Sequence, residues 1–150
     1  MTLQNLSRIG RLKPHEATPE EVQRLLAAIK RNIADASVNA ISEETRFDAA
    51  YKAVMQCALV ALMAAGFRPS TSEPGHHQTM LQSLPLTLGV AQDAWVVLDA
   101  LRRQRNANDY TGQPITHEVV AECLAQARQL NALLRSHLAA HHPGLLVAAK

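Results

Sequence analysis

Five polar residues lie close together near the end of one predicted helix, and their types suit an anionic ligand. They are Arg102, Arg105, Asn106, Asp109 and Tyr110. The guanidinium of an arginine offers a rigid fork of donors that matches phosphate or carboxylate oxygens. An asparagine amide both donates and accepts, and a tyrosine ring can stack on a nucleobase. The set therefore predicts a binding site for a phosphate-bearing ligand.

Arg105 is the central residue of this set because of its position on the helix predicted over residues 90–112. The apolar face of that helix consists of Ala91, Ala94, Leu98 and Leu101. Arg105 is the next residue on the same face. A charge on a core-directed face is costly without a partner, so it needs a carboxylate or an anionic ligand. In the alternative interpretation, Arg105 pairs with Asp109 one turn later and only closes the helix end.

The elements that position these residues are predicted to be helices. Hydrophobic residues make up 47% of the 150 residues but aromatic residues only 3%, and alanine and leucine dominate. Few β-branched or aromatic runs exist from which strands could form. The net charge of +2 is too small to indicate nucleic-acid binding by itself, so any anion site must be local.

Capping residues predict where the long helices begin. Thr18-Pro19-Glu20-Glu21, Ser42-Glu43-Glu44 and Thr116 are typical helix starts, and Gly66 and Gly112 are typical stops. The segment 68–75 is predicted to be a loop, and Pro85 to kink the third helix. We expect an all-α, antiparallel four-helix bundle with a short extra N-terminal segment. Its parts are an N-terminal arm (1–17), the bundle (18–142) and a C-terminal tail (143–150).

The polar cluster also carries a family resemblance. The phrase LRRQRN at 101–106, followed by Asp109, Tyr110 and Gly112, is similar to versions of a motif in HEPN domains, a family of helical nucleotide-binding domains. The segment GHH at 75–77 adds to the likeness. The resemblance implies a nucleotide- or RNA-binding domain, non-catalytic or regulatory, in a toxin–antitoxin or nucleotidyltransferase-type system. It also implies a nucleotidyltransferase-type protein as a partner.

The nuclease branch of that family is implied to cleave RNA as dimers, using an arginine, a following polar residue and a histidine a little further on. Arg105 and Asn106 match the first two positions, but Tyr110 stands where the histidine is expected. A phenol titrates near pH 10 and is a poor general acid or base at neutral pH. We therefore expect no appreciable RNA cleavage.

Two histidines keep an enzymatic alternative open. If the loop before His76 and His77 folds over Arg105, one of the two imidazoles could replace the missing group, which would give a metal-independent ribonuclease. Otherwise both are solvated histidines at a helix start. A third alternative is a structural bundle that only dimerises. Val96 and Val97 beside Trp95 leave apolar surface uncovered, which predicts a homodimer with two-fold symmetry.

The remaining features predict neither a metal, a cofactor nor a membrane. His137 and His141 lie one turn apart, but no third ligand is evident, and histidines are favoured near a helix C-terminus. Cys57 and Cys123 are predicted to be free, buried thiols in a reducing compartment. The apolar run from Ala53 to Gly66 is short and interrupted for a transmembrane helix. We therefore expect a soluble, cytoplasmic protein.

Overall fold

The computed structural model describes residues 1–72 and 75–147, which form helices and one small sheet. In chain order the elements are α1 (Leu3–Arg8), β1 (Leu12–Pro14), α2 (Pro19–Ala36), α3 (Glu43–Ala64), β2 (Phe67–Pro69), α4 (His76–Thr87), α5 (Gln92–Thr111), α6 (His117–His141) and a 3₁₀-helix (Pro143–Leu146). The predicted all-α class is confirmed apart from the sheet. The antiparallel four-helix arrangement stays a prediction.

The helices begin and end where the capping residues predict. The Thr18 hydroxyl accepts from the Glu21 amide and the Glu21 carboxylate accepts from the Thr18 amide, so α2 begins with a complete capping box. The Ser42 and Thr116 side chains cap α3 and α6. Each accepts a hydrogen bond from the backbone amide three residues later. Gly112 ends α5 with a φ of 70°, a left-handed conformation that glycine adopts without strain.

Helix α3 lies at the centre of the core. It packs most extensively against α2 and α6, and also against α4. Its many alanines, Ala50, Ala53, Ala58 and Ala61 among them, are completely or almost completely buried. Because alanine has a minimal side chain, these positions leave room for the neighbouring helices to pack on α3. The interior is completed by larger side chains from the neighbours, including Ile29 on α2 and Leu134 on α6.

Two features differ from the sequence-based expectations. Arg68 and Pro69, predicted as loop, belong to β2, which pairs antiparallel with β1 so that Leu12 faces Pro69. Gly66, at a φ of 97°, turns the chain from α3 into this strand. The third helix is not one kinked helix but two, because α4 ends at Thr87 and Gly89, with a φ of 67°, redirects the chain before α5. Pro85 lies within α4, close to its end.

The segments outside the long helices also contribute to the core. Leu6 on α1 and Leu12 on β1 are 1% and 2% exposed, so both are core residues. At the other end, the 3₁₀-helix packs on α2, and the Gln23 amide donates to the Leu145 carbonyl at 3.3 Å. Part of the predicted tail, residues 148–150, lies outside the described residues. Glu73 and Pro74 of the predicted loop lie outside them as well.

In the described part of the chain, α3 alone is long and apolar enough by composition to cross a membrane, and 67% of the relevant window is buried inside the fold. The apolar run noted in the sequence therefore belongs to a longer, 22-residue helix. Cys57 on α3 and Cys123 on α6 are free and buried, as predicted. Burial raises the pKa of each thiol to about 12, so neither is a reactive thiolate at neutral pH.

The buried side chain of Arg46, on α3, hydrogen-bonds to the end of α2 and gives a test of the fold. Arg46 Nε donates to the carbonyl oxygen of Ala36, the last residue of α2, at 2.9 Å. Arg46 Nη1 lies 3.4 Å from Glu43 Oε2. We expect Arg46→Met to lower the free energy of unfolding by about 1–3 kcal/mol, because the Ala36 carbonyl loses its donor. In urea denaturation, Glu43→Gln serves as control and should cost less than about 1 kcal/mol, because both ion pairs of this part-exposed carboxylate, with Arg46 and with His117, lie near the surface. Equal, small losses would contradict this role.

Candidate functional site

Tyr51 on α3 connects the two segments that the sequence singles out. The Cζ atom of Arg105, on α5, lies 5.0 Å from the centroid of the Tyr51 ring. On α4, His77 Nδ1 lies 3.3 Å from the Tyr51 hydroxyl, within hydrogen-bond distance. We call Tyr51, His77 and Arg105 the Tyr51 cluster. The structure thus brings His77 and Arg105 into contact with the same side chain.

Each member of the Tyr51 cluster is positioned by its helix. Tyr51 is 3% exposed and packs on Phe47, one turn earlier, with the ring centroids 6.1 Å apart. Arg105 follows the buried Leu98 and Leu101 on the same face of α5, so its aliphatic stem continues the apolar face while its head reaches the ring. His77 enters from the first turn of α4, which begins after Gly75 with a φ of 84°.

The guanidinium of Arg105 has few partners of its own. It makes no hydrogen bond to any residue in the ranges 1–72 and 75–147, and its Nη1 lies 3.8 Å from Asp109 Oδ2. The side chains of Arg105 and Asp109 are 34% and 43% exposed, so this long ion pair contributes little to stability. Asp109 therefore does not close the site around Arg105.

Arg102 differs from Arg105 because its charge is already compensated. Asp99, a buried carboxylate on α5, accepts from Arg102 Nε at 3.0 Å and lies 3.0 Å from Arg103 Nη2. One carboxylate thus holds two arginines, of which Arg102 is mostly buried and Arg103 is 74% exposed. Of the three arginines on this helix, Arg105 is the one best able to bind a new anion.

Burial and neighbouring charges shift the pKa values of His77 and Tyr51 so that both side chains are neutral at pH 7. Desolvation lowers the pKa of His77, and the positive charges of His76, Arg105 and Arg102 lower it further. The imidazole of His77 is therefore neutral at pH 7. Burial raises the pKa of Tyr51 to about 12, so its hydroxyl stays protonated. Desolvation raises the pKa of the Asp48 carboxyl on α3, and the nearby Arg105 acts in the opposite direction.

Two of the predicted ligand-binding residues, Asn106 and Tyr110, have no hydrogen-bond or ring contact with the Tyr51 cluster. Asn106 is exposed, and Tyr110 is 86% exposed near the end of α5. Neither side chain makes a hydrogen bond or a ring contact within the described part of the chain. His76 belongs to the edge of the cluster, because its ring centroid lies 4.7 Å from that of His77. The structure therefore gathers Arg105, His77 and His76, with Arg102 beside them.

Sequence reasoning did not single out Tyr51 or Asp99. Tyr51 follows the apolar pattern of α3, and its contact with α5 joins residues far apart in the chain. Asp99 lies between Leu98 and Leu101. Its position three residues before Arg102 and four before Arg103 does predict an ion pair along the helix.

The histidines at the end of α6 are close to one another. The ring of His137 lies 4.8 Å from that of His141 and 5.7 Å from that of His142. Within residues 1–72 and 75–147, however, no group of three potential ligands has an arrangement that could hold a metal ion. Desolvation and the two neighbouring imidazoles lower the pKa of His137. These rings therefore form a tilted cluster at the end of α6.

No protein-family model, no curated protein and no solved structure shows a match to this chain. The chemistry of the site is therefore inferred from the residues of this chain alone.

The lowered pKa of His77 predicts how stability depends on pH. An unfolded chain takes up a proton on this histidine near pH 6.5, whereas the folded chain does so only at lower pH. The stability that the neutral, part-buried His77 contributes is therefore fully present above pH 6.5, and it is lost as the pH drops through the interval between the two pKa values. We expect His77→Gln to remove part of that fall, measured by urea denaturation between about pH 8 and pH 5.

The exposed His117 gives the control for this measurement. The change His117→Gln removes an imidazole that is 69% exposed and outside the Tyr51 cluster. Suppose that the free energy of unfolding falls equally steeply with decreasing pH in the wild type and in His77→Gln. That result would contradict the burial of a neutral His77.

Proposed function

We propose that the chain is a HEPN-like helical domain that binds RNA or a nucleotide through a phosphate at Arg105, without cutting it. One observation carries this proposal. The Arg105 guanidinium lies on the face of a buried tyrosine, and its N–H groups have no hydrogen-bond acceptor among the described residues. An arginine held in this way is ready to donate to an anion.

The contact with Tyr51 prepares Arg105 for binding. A ring below the guanidinium fixes the plane of its donors and contributes roughly 0.5–2 kcal/mol of attraction. Less conformational entropy is then lost when a phosphate arrives, because the fork is already oriented. Asp109, at 3.8 Å, is a weak competitor that an incoming phosphate would displace.

The type of ligand follows from the surrounding chemistry and from the family resemblance. The small net charge gives no long-range attraction to nucleic acid, so affinity depends on local contacts and should be modest. The phrase LRRQRN at 101–106 supports an RNA or nucleotide phosphate over other anions. A role beside a nucleotidyltransferase-type protein, or in a toxin–antitoxin system, is part of the same proposal and rests on the resemblance alone.

We expect Arg105→Gln to weaken binding of a fluorescein-labelled mixed-sequence RNA by about 1–3 kcal/mol, the loss typical of a charge-assisted hydrogen bond. Fluorescence anisotropy at fixed salt measures the affinity. The matched control is Arg103→Gln, which makes the same change of charge two residues earlier in the chain. The side chain of Arg103 is 74% exposed. Its effect should be much smaller.

Equal weakening by the two changes would show non-specific charge attraction and contradict a site at Arg105. An affinity unchanged by Arg105→Gln would favour the structural alternative, in which Arg105 only packs on Tyr51. The thermal melts of both variants accompany the measurement. A preserved melting temperature in Arg105→Gln excludes loss of fold as the cause of weaker binding.

A second candidate function is a metal-independent ribonuclease, and the contact between His77 and Tyr51 favours it. In such a reaction the 2′-hydroxyl attacks phosphorus as its proton passes to a neutral imidazole, and the 5′-oxygen leaves with a proton from an acid. The phosphate would become a 2′,3′-cyclic ester, and Arg105 would stabilise its added negative charge. The neutral His77 could act as the base, with His76 beside it as the acid.

The same RNA separates the two candidates when it is recovered from the binding mixture and run on a denaturing gel. We expect intact RNA. Shorter products that disappear in both Arg105→Gln and His77→Gln would replace the binding function with the ribonuclease.

We also propose that the chain forms a homodimer through the outer face of α5. Val96 is 53% exposed there, between the half-buried Trp95 and Val97. Light scattering after gel filtration should give twice the chain mass of 16.4 kDa, and Val96→Glu should restore the single mass, because a charge at the interface core is costly. The control is Val38→Glu, at an apolar residue outside α5 that is 44% exposed, and it should leave the dimer mass unchanged. A wild-type mass of one chain at micromolar concentration would contradict the dimer.

A further inference from the structure

A cleft of about 340 Å³ is bordered by His77. Its volume is at the lower end of the range of small-molecule sites, roughly 300–1,000 Å³. The walls come from α3, from β2 and the residues after it, and from the start of α4. Arg105 is not among the residues that line it. The cleft is therefore separate from the phosphate site proposed above, although His77 borders both.

The floor of the cleft is apolar and adaptable. Met55, Leu59 and Met80 line it; both methionines are 5% exposed and Leu59 is half-buried. Methionine side chains are flexible and polarisable, and their sulfur atoms make favourable contacts with aromatic rings. A flat aromatic body of one or two rings suits such a floor in a cavity of this size.

The rim of the cleft is basic. Lys52, Arg68, His76 and His77 line it, and the described lining includes no acidic residue. None of the four forms an ion pair with a residue in the ranges 1–72 and 75–147. Lys52 and Arg68 are both exposed, so two full positive charges remain available beside an apolar floor. This combination attracts a ligand that is apolar at one end and anionic at the other.

The 12-residue helix α4 begins at the same rim, because its first two residues, His76 and His77, line the cleft. Its N-cap is Gly75, which has no side chain to accept a hydrogen bond from the first turn. The N-terminal amides therefore lack a side-chain cap among the described residues, and the helix dipole adds a partial positive charge. An anionic group at the rim would supply the missing acceptor.

We propose that this cleft binds a small aromatic carboxylate, whose ring lies against Met55, Leu59 and Met80 and whose carboxylate meets Lys52, Arg68 and the start of α4. A carboxylate matches the rim better than a more highly charged group, since the rim carries only one lysine and one arginine. This inference goes beyond the phosphate site at Arg105 and does not depend on it.

The probe is 2-naphthoate, and 2-naphthamide is its neutral counterpart of the same shape. Isothermal titration calorimetry on the full chain should give saturable binding of 2-naphthoate with a dissociation constant below about 1 mM. The affinity for 2-naphthamide should be at least about tenfold lower, because it lacks the charge that the rim recognises. Octanoate, which carries the same charge on an aliphatic chain, should also bind more weakly.

Charge variants locate the carboxylate. Lys52→Gln and Arg68→Gln should each weaken 2-naphthoate about three- to tenfold, because both side chains are part of an exposed rim. Arg24→Gln is the matched control, since Arg24 lines the adjacent cleft together with Arg68 but does not line this one. All three residues are exposed, so the fold should tolerate these changes.

The four methionines locate the ring. In a protein labelled at the methionine methyl groups, 2-naphthoate should shift the NMR signals of Met55 and Met80. Met1 should not respond, and Met63 reports on the adjacent cleft, which it lines. Equal binding of 2-naphthamide or octanoate, a shift confined to Met63, an equal loss in Arg24→Gln, or no saturable binding would each overturn the proposal. Loss of RNA affinity in Arg105→Gln has no bearing on any of these results.

Discussion

The burial of α3 by its neighbours is the constraint on which the rest of the structure depends. Its alanine-rich surface packs against α2 and α6, whose buried side chains, such as Ile29 and Leu134, complete the core around it. A rigid central helix then presents polar and adaptable residues at defined positions along its length. Tyr51 faces α5, while Met55 and Leu59 face the cleft beside β2. Both candidate sites are therefore built on one helix whose position is fixed by packing.

Local signals in the sequence predict much of this fold. The capping box at Thr18 and the caps at Ser42 and Thr116 locate three helix starts, because cap chemistry involves residues only a few positions apart. The sheet is different. Its strands are three residues long, and each contains a proline, so neither shows the alternation that predicts a strand. They pair because Gly66 turns the chain back towards residues 12–14. Such a long-range contact leaves no pattern in either segment.

The candidate site shows the same limit. The face of α5 correctly identifies Arg105 as a charge next to the core, since that inference needs only helical periodicity. Asn106 and Tyr110 are its neighbours in the chain but are exposed, because adjacent residues on a helix point in different directions. The partner that matters, Tyr51, comes from a helix more than fifty residues earlier. Its role depends on the packing of α3 beside α5, which neither segment's own pattern predicts.

The order of the helices along the chain has a consequence for synthesis. Helix α3 is apolar enough to resemble a membrane span, and a large part of its surface is covered by α6. During translation, residues 43–64 leave the ribosome well before residues 117–141 are made. The nascent chain therefore carries a hydrophobic helix without its α6 cover for as long as it takes to add α4, α5 and α6. In that interval the growing polypeptide is a substrate for holdase chaperones and for aggregation, and α2 is the main cover within reach.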